Sequence, residues 1–228
     1  MQSLRAAPDD AGLAKTERVY LALRRRIREL ELPPGAMLKK DELALAFGVS
    51  RAPVNEAIAR LTSEGLVEVF PQHGSFVAEI RAEAVREGMF IRMALETEAM
   101  RQVALARTDA LMASLDANIA EQARALAAEE LTRFYELDET LHDSIFAFAD
   151  RPLARRFLDG ARAQLDRVRR VALPEAGRPE ETLREHVRLV EAIRLGDGEF
   201  AAAAMRAHLN AVLKAVEAQL MQRVGVGP

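Results

Sequence analysis

The spacing of apolar residues in this 228-residue chain changes from a helical to a strand-like period directly after Gly65. The segments Leu66 to Phe70 and Ser75 to Ile80 are rich in β-branched and aromatic residues, and the turn Pro71-Gln72-His73-Gly74 separates them. This pattern predicts a β-hairpin. Because no further strand pattern follows, the rest of the chain is predicted to be helical.

Three helices are predicted before the hairpin. The first runs from Lys15 to about Leu32, where Pro33-Pro34-Gly35 stops the apolar pattern. The second is short, from Asp41 to Phe47, and ends at Gly48. Ser50 can cap the third helix, which has Pro53 in its first turn and a buried stripe formed by Val54, Ala57, Ile58 and Leu61. Helix, short helix, tight turn, helix and hairpin together predict a winged helix-turn-helix.

The chain beyond the hairpin predicts six more helices, at about 82–107, 109–128, 130–149, 151–173, 179–195 and 197–222. Residues 1–14 are small and polar, and they predict a disordered arm. We therefore expect a DNA-binding domain at 15–80 and a helical domain at 81–228. The expected fold class is mainly α, with an N-terminal winged helix-turn-helix and a C-terminal all-α six-helix bundle.

Composition excludes several classes of protein. The absence of cysteine excludes disulfides, zinc ribbons and thiolate nucleophiles. Since no apolar run approaches the thickness of a bilayer and the N-terminus lacks an apolar signal core, we expect a soluble, cytoplasmic protein. The formal net charge of −3 disfavours indiscriminate coating of nucleic acid.

Two parts of the sequence resemble one family of regulators. The stretch GAMLKKDELALAFGVSRAPVNEAIARLTSEGLVEVFPQHGSFV resembles the N-terminal domain of the GntR family of bacterial transcription regulators. The segments IRMALETEAM, FYELDETLHDSIF, REHVRLVEAIRLGD and AMRAHL resemble the FadR-type effector domain called FCD, and six helices resemble its VanR-like branch. The resemblance implies a homodimeric, ligand-responsive repressor that binds a palindromic operator in double-stranded DNA.

The third helix contains the residues expected to read DNA. Its buried stripe leaves Arg51, Ala52 and Asn55 on the opposite face near the N-terminal end, the part of a recognition helix that meets base edges. Arg51 suits guanine and Asn55 suits adenine, although a phosphate or water contact is an equal alternative for Asn55. We include Ser50 in this set, and we expect Lys39 and Lys40 to contact the phosphate backbone.

Two positions in this region depart from the family pattern, which often has arginine at both. This chain has Asp41 and Asn55 there, and the departures leave the operator sequence open. At the hairpin tip, His73 and Gly74 resemble the wing that enters the minor groove in the family. A solvated turn histidine is the alternative, but a glycine beside it lets the backbone approach phosphate closely.

The remaining three histidines and one aspartate predict a metal site. Asp138 and His142 are four residues apart on one predicted helix and share a face, while His186 and His208 come from the last two helices. A lone buried histidine is usually a core residue, but the order Asp, His, His, His resembles the metal-binding branch of the effector domain. These ligands suit Zn²⁺, Ni²⁺, Mn²⁺ or Fe²⁺, with Zn²⁺ as the default.

Arg92 in the first helix of the effector domain is the expected partner of an effector. The resemblance places an arginine there, and its guanidinium would bind the carboxylate of a small organic acid held beside the metal. The alternative is an ion pair with Glu96, four residues further along the same helix.

Two other functions compete with ligand-responsive regulation. The His142-Asp143 dipeptide occurs in helical metal-dependent phosphohydrolases, but their further histidine on an earlier helix has no counterpart here, because His73 lies in the predicted hairpin. The other alternative is a DNA-binding protein with a purely structural metal and no effector. Open coordination positions beside Arg92 would separate it from the leading hypothesis.

Overall fold

The computed structural model describes residues 13–171 and 177–224. The N-terminal part contains α1 (Lys15–Arg28), α2 (Lys40–Phe47), α3 (Arg51–Ser63), β1 (Val67–Phe70) and β2 (Gly74–Val77). The C-terminal part contains α4 (Ala82–Ala106), α5 (Asp109–Ala127), α6 (Leu131–Phe148), α7 (Pro152–Val171), α8 (Arg178–Leu195) and α9 (Gly198–Val224). The predicted fold class, a winged helix-turn-helix followed by six helices, is confirmed. The arm predicted at 1–14 lies almost wholly outside the described residues.

The recognition helix α3 is fixed by the core beneath it. Both α1 and α2 pack against α3, and β1 follows α3 into the same core. The predicted stripe of Val54, Ala57, Ile58 and Leu61 is at most 2% exposed. Since burying a valine, leucine or isoleucine side chain stabilises a fold by about 1.5–3 kcal/mol, this stripe determines which face of α3 remains at the surface.

Helix α1 ends at Arg28, before the predicted end near Leu32. Leu30 has a left-handed backbone, with φ 61°, which an α-helix cannot contain. The N–H of Leu32 then donates to the carbonyl of Arg26 at 3.1 Å, which closes the turn. The predicted end was wrong because Leu30 continues the apolar spacing of the helix although the backbone has already left it.

The hairpin forms as predicted, with Val67 opposite Val77 and Phe70 opposite Gly74 in an antiparallel pair. Strand β1 begins one residue after the predicted start, whereas β2 begins one residue before it, at Gly74, and ends at Val77 rather than Ile80. At its tip, Gln72 has φ 65°, so a single left-handed residue reverses the chain. The tip is therefore a short, defined wing.

A segment that the sequence did not identify as extended lies along the second edge of β2. The N–H of Gly35 donates to the carbonyl of Val77 at 2.9 Å, and the N–H of Leu38 donates to that of Ser75 at 2.8 Å. This segment pairs the edge of β2 that β1 leaves open, so neither edge of β2 is a free strand edge.

In the C-terminal part, α5 packs against α6 and α8, and α8 packs against α9. The side chains that these helices turn inward are apolar, among them Leu115, Phe134, Leu141, Ile145, Leu189, Ile193, Met205 and Leu209, each at most 1% exposed. Gly196, with φ 75°, ends α8, and the Asp197 side chain accepts hydrogen bonds from the first N–H groups of α9. A tight connection thus joins the two helices that carry His186 and His208.

The chain divides into two compact units. Among the described residues, one contains 13–85 together with Ala163–Val171, and the other contains Arg86–Arg162 together with 177–224. The end of α7 is part of the first unit because Gln164 donates to the carbonyl of Gly65 at 2.7 Å. The sequence had assigned all of this helix to 81–228, and that division stays a prediction. Within the described ranges, no helix is both long and apolar enough to cross a bilayer.

Candidate functional site

The structure leaves the predicted DNA-reading residues of α3 at the surface. Ser50, Arg51, Ala52 and Asn55 are all exposed. Ser50 occupies the N-cap position of α3, but its side chain makes no capping hydrogen bond. Its hydroxyl is therefore not used to stabilise the helix end, and the exposed group remains among the predicted DNA contacts.

Arg51 forms a two-point ion pair with Asp41 at the start of α2. Its Nε and Nη2 atoms donate to Oδ1 and Oδ2 of Asp41, the second contact being 2.5 Å. Both side chains are about two-thirds exposed, at 69% and 68%. The pair occupies one edge of the guanidinium and leaves Nη1 directed away from the carboxylate, so a second fork of donors remains for a base.

The two lysines predicted to contact phosphate lie at the start of α2. Lys39 is the N-cap residue and is exposed, and its ammonium is 2.8 Å from a carboxylate oxygen of Glu42. Lys40 begins the helix and is half-buried. Their contact with DNA stays a prediction.

The wing presents His73 as an exposed residue at its tip, and Gly74 follows with φ 118°. A Cβ at Gly74 would lie 3.0 Å from the Met37 Cε atom. The Met37 side chain is exposed and can move, so it is the backbone angle that favours glycine here, independently of any approach to phosphate.

In the helical bundle, the structure brings together the three histidines predicted as metal ligands. His142 of α6, His186 of α8 and His208 of α9 are at most 2% exposed, and one ring nitrogen from each lies within 4.8 Å of the others. The carboxylate of Asp138 is also buried, and its Oδ1 is 3.1 Å from Nε2 of His186. All four predicted ligands therefore lie together.

Each histidine ring has a polar partner at Nδ1. Nδ1 of His142 lies 2.6 Å from Oε2 of Glu96, and Nδ1 of His208 lies 2.7 Å from Oε2 of Glu185. Nδ1 of His186 is 2.8 Å from Oε1 of Gln122. When Nδ1 carries the proton and donates to these oxygens, the lone pair of each ring lies on Nε2.

Burial keeps two of these rings uncharged. It lowers the pKa of His142, against the opposing effect of Glu96. It also lowers the pKa of His208 to about 3, although the hydrogen bond with Glu185 opposes the shift. Neutral imidazole is the form that binds a metal, so both rings are ready to act as ligands at neutral pH.

The carboxylates that face these rings remain ionised. Burial alone would raise the pKa of Glu96, but the charges of Arg92 and Arg162, together with the interaction with His142, hold it well below its usual range. Burial also opposes ionisation of Glu185, yet hydrogen bonds from His208 and Arg178 lower its pKa to about 2. Glu185 accepts from Arg178 at 2.8 and 3.1 Å, which keeps the carboxylate in place.

The three Nε2 atoms are buried and make no hydrogen bond, and the carboxylate oxygen Oδ1 of Asp138 lies 3.1 Å from that of His186. An unsatisfied buried nitrogen costs free energy, and three in one place are unusual in a folded protein. A divalent cation coordinated by the three imidazoles and the Asp138 carboxylate would satisfy all of them. The donor set therefore fits a borderline metal ion such as Zn²⁺ or Ni²⁺.

Arg92 pairs with Glu96, the alternative considered from the sequence. Its Nε donates to Oε1 of Glu96 at 2.6 Å, and the Arg92 side chain is only 3% exposed. Arg162 of α7 also contacts Glu96, at 3.3 Å, and Asp143, at 2.8 Å. Two arginines thus converge on one buried carboxylate beside His142, and an effector contact by Arg92 stays a prediction.

Four residues around the histidines were not assigned to the site from the sequence: Glu96, Gln122, Arg162 and Glu185. Glu96 was considered only as a partner of Arg92, although its spacing places it on the same helix face. Glu185 stands next to His186 in the sequence, yet it contacts His208. Gln122 and Arg162 carry no local signal, because only the packing of the helices brings them to the rings.

Comparison with family models matches both halves of the chain. The model described as "Bacterial regulatory proteins, gntR family" matches residues 15–77, and the model described as "FCD domain" matches residues 87–211.

Individual relatives match along most of the chain. "HTH-type transcriptional repressor RspR" of Escherichia coli (strain K12) is 34% identical over 200 residues, which cover 88% of this chain and 88% of that protein. An uncharacterized HTH-type transcriptional regulator in an unstable DNA locus of Streptomyces ambofaciens is 35% identical over 206 residues, covering 90% and 86%. The solved structure of E. coli McbR/YncC has a TM-score of 0.80 at 21% identity, covering 91% and 99%, and so shows the same fold.

Proposed function

The chain belongs to the GntR family of bacterial regulatory proteins, with an FCD domain as its helical part, and on this premise we propose that it is a cytoplasmic, metal-containing repressor controlled by a small organic acid. It is a DNA-binding transcriptional regulator, as its relatives are, and not an enzyme. The phosphohydrolase alternative is therefore wrong. In agreement, Asp143 of the His142-Asp143 dipeptide is engaged by Arg155 and Arg162, at 2.5 and 2.8 Å. Membership of the VanR-like branch stays a prediction.

The observation that carries the metal proposal is the set of three buried Nε2 atoms without hydrogen bonds. His142, His186 and His208, with Asp138, would hold one divalent ion per chain, with Zn²⁺ as the first candidate and Ni²⁺, Mn²⁺ and Fe²⁺ as alternatives. When bound, the ion supplies a fixed positive charge, and an anionic ligand can coordinate the ion. Glu96, Gln122 and Glu185 orient the rings towards it.

A carboxylate is the effector chemistry that suits this site. Arg92 and Arg162 bring two positive charges to the buried carboxylate of Glu96. An organic acid could bind one of these guanidinium groups through charge-assisted hydrogen bonds and so replace Glu96 as its partner. An acid that binds one conformation of the dimer better than the other would shift the population between them, and so change operator affinity.

One observation favours the alternative in which the metal is structural and no effector binds. Arg92 is almost fully buried, and Glu96 already accepts from it through both carboxylate oxygens, at 2.6 and 3.4 Å. A guanidinium that is satisfied within the protein needs no external anion. The two functions differ in whether an acid changes DNA affinity.

Operator binding by the metal-loaded protein, with and without acids, tests the proposal. We expect selection from random DNA to yield a two-fold symmetric sequence, since a homodimer presents two recognition helices to two half-sites. Sedimentation should give a dimer. We expect at least one hydroxy acid, sugar acid or dicarboxylate to change operator affinity of the zinc-loaded protein. If no acid does so while zinc binds with full occupancy, the structural-metal alternative is correct.

A further inference from the structure

The three histidine rings differ in how their tautomers are fixed. Glu96 and Glu185 are carboxylates, which when ionised only accept hydrogen bonds, so each by itself requires a proton on the Nδ1 that it contacts. Gln122 is a carboxamide, and it can present either its oxygen or its NH₂ group to His186. Gln122 alone therefore does not determine where the proton of His186 lies.

A chain of hydrogen bonds from the backbone removes this ambiguity. The carbonyl oxygen of Leu137 can only accept, and Nδ2 of Asn118 donates to it at 3.1 Å. This turns Oδ1 of Asn118 towards Gln122, whose Nε2 donates to it at 2.7 Å. The oxygen of Gln122 must then face His186, where Oε1 is 2.8 Å from Nδ1. Gln122 is 0% exposed, so no solvent competes for its amide.

The direction of these hydrogen bonds favours a proton on Nδ1 of His186, whereas a second contact of the same ring favours a proton on Nε2. Oδ1 of Asp138 is 3.1 Å from Nε2 of His186 and attracts a proton to that nitrogen. A proton on Nε2 would block the atom that faces the other two histidines. Without the chain of hydrogen bonds, Gln122 could rotate, donate to Nδ1 and let the proton move to Nε2.

We infer that Asn118 is a positioning residue that sets the tautomer of His186, with the proton on Nδ1 and the lone pair of Nε2 available for a cation. The part of this inference that concerns metal affinity rests on the proposed function. The part that concerns the tautomer does not, because it can be measured in the metal-free protein.

The test is ¹⁵N NMR of the full-length, metal-free protein labelled at histidine, at about pH 8, where an ordinary histidine is neutral. We expect wild type to show His186 protonated at Nδ1 and unprotonated at Nε2. Asn118→Leu should move the proton towards Nε2, since nothing then fixes the orientation of Gln122. Asn118→Asp keeps an acceptor for Gln122 and should retain the wild-type tautomer, although it loses the bond to Leu137.

Asn210→Leu is the matched control, because Asn210 is an exposed asparagine on α9, the helix that carries His208. Circular dichroism establishes that each variant folds. A wild-type tautomer in Asn118→Leu would overturn the inference. A shifted tautomer in Asn118→Asp would also overturn it, because this variant keeps the acceptor that orients Gln122. If residue 118 acted only by packing, the Asp and Leu variants would not differ in this way.

Zinc affinity, measured by competition with a chelating dye, gives the second readout. We expect Asn118→Leu to bind Zn²⁺ about 10–100-fold more weakly, the range for loss of a group that orients a ligand. Asn118→Asp and Asn210→Leu should remain close to wild type. If wild type binds no zinc but the tautomers behave as expected, the metal proposal fails and the inference about Asn118 stands. If zinc binds and Asn118→Leu retains both tautomer and affinity, the inference fails and the metal proposal stands.

Discussion

Arg51 of the recognition helix and Asp41 at the start of α2 form a two-point ion pair on the exposed face of the winged helix-turn-helix. Exposed ion pairs contribute little to the free energy of unfolding, about 0.2–1 kcal/mol, so this pair stabilises the fold only slightly. The main effect of the pair is on the orientation of the Arg51 side chain. The carboxylate restricts the guanidinium to one orientation and places a negative charge on the surface expected to meet DNA.

We expect Arg51→Ala to weaken operator binding by roughly 1–3 kcal/mol without unfolding the protein, because a base contact is lost and no core side chain is removed. Binding to random DNA should change much less. The measurement is competition binding at fixed salt between the selected operator and random DNA. Equal discrimination by wild type and Arg51→Ala would exclude Arg51 as a base-reading residue.

For Asp41→Ala, we expect discrimination to fall while binding to random DNA becomes stronger. The arginine loses its orientation, and a charge that repels phosphate is removed. Glu42→Ala is the control, since it removes the same charge from the same helix without touching Arg51, although it also releases Lys39 from its ion pair. It should strengthen binding to both DNAs and leave their ratio unchanged.

Purified protein is expected to contain about one equivalent of divalent metal per chain by elemental analysis. The His186→Ala variant should lose most of it, and His186→Ala with His208→Ala should lose all, because ligands are missing. His73→Ala should retain full content, since His73 is exposed at the wing. Full metal content in the double variant would show that the ion lies elsewhere.

Thermal-shift measurements should distinguish the role of Arg92. A ligand that binds only the folded protein raises its unfolding temperature, so wild type should be stabilised by the effector acid and Arg92→Ala should not. Arg92→Ala also leaves Glu96 short of a partner, and its own stability should fall. The shift caused by ligand is therefore the relevant readout. Arg92→Lys, which keeps the charge but loses the fork, should respond weakly.

Stabilisation of Arg92→Ala by acids to the same extent as wild type would contradict the assignment of Arg92. Stabilisation by neutral compounds alone would contradict the choice of an organic acid. Neither result would affect the membership of the chain in its family.

Helix α4 approaches α7 too closely at Gly88 for any side chain. A Cβ there would lie 2.3 Å from the carbonyl oxygen of Ala161. We expect Gly88→Ala to reduce the free energy of unfolding by about 1–3 kcal/mol or more, as overpacking does. Gly160 lies in the interior of α7 with nothing within 4 Å of its Cβ position. Gly160→Ala should therefore stabilise the protein by up to about 1 kcal/mol in urea denaturation, through helix propensity alone.

Tyr20 links stability to pH in the alkaline range. Burial, together with the hydrogen bond that its hydroxyl donates to Glu64, raises the pKa of Tyr20 from 10.0 to about 12. A raised pKa means that the unfolded chain loses this proton first, so the stabilisation is complete below pH 10 and is lost as pH rises towards 12. The difference in unfolding free energy between wild type and Tyr20→Phe should shrink across this interval. A constant difference would show that the hydroxyl ionises equally in both states.

Much of this protein could be derived from local patterns in its sequence. The stripe of Val54, Ile58 and Leu61 fixed the exposed face of α3, and turn residues located the hairpin. The order of Asp138, His142, His186 and His208 indicated residues that the structure indeed brings together. The stripe and the hairpin are predictable because helix and strand periods repeat every few residues and act through near neighbours, whereas the metal ligands were indicated by resemblance to a known effector domain.

The tertiary structure decided which polar groups meet. No pattern in the sequence indicates that Glu185 contacts His208 or that Gln122 contacts His186, because both contacts depend on how separate helices pack. The same holds for the pairing of Asp41 with Arg51, since it joins two helices across a turn. Apolar spacing is set by the need to bury one face of a helix, whereas hydrogen bonds between helices depend on rotation and depth that only a packed core fixes.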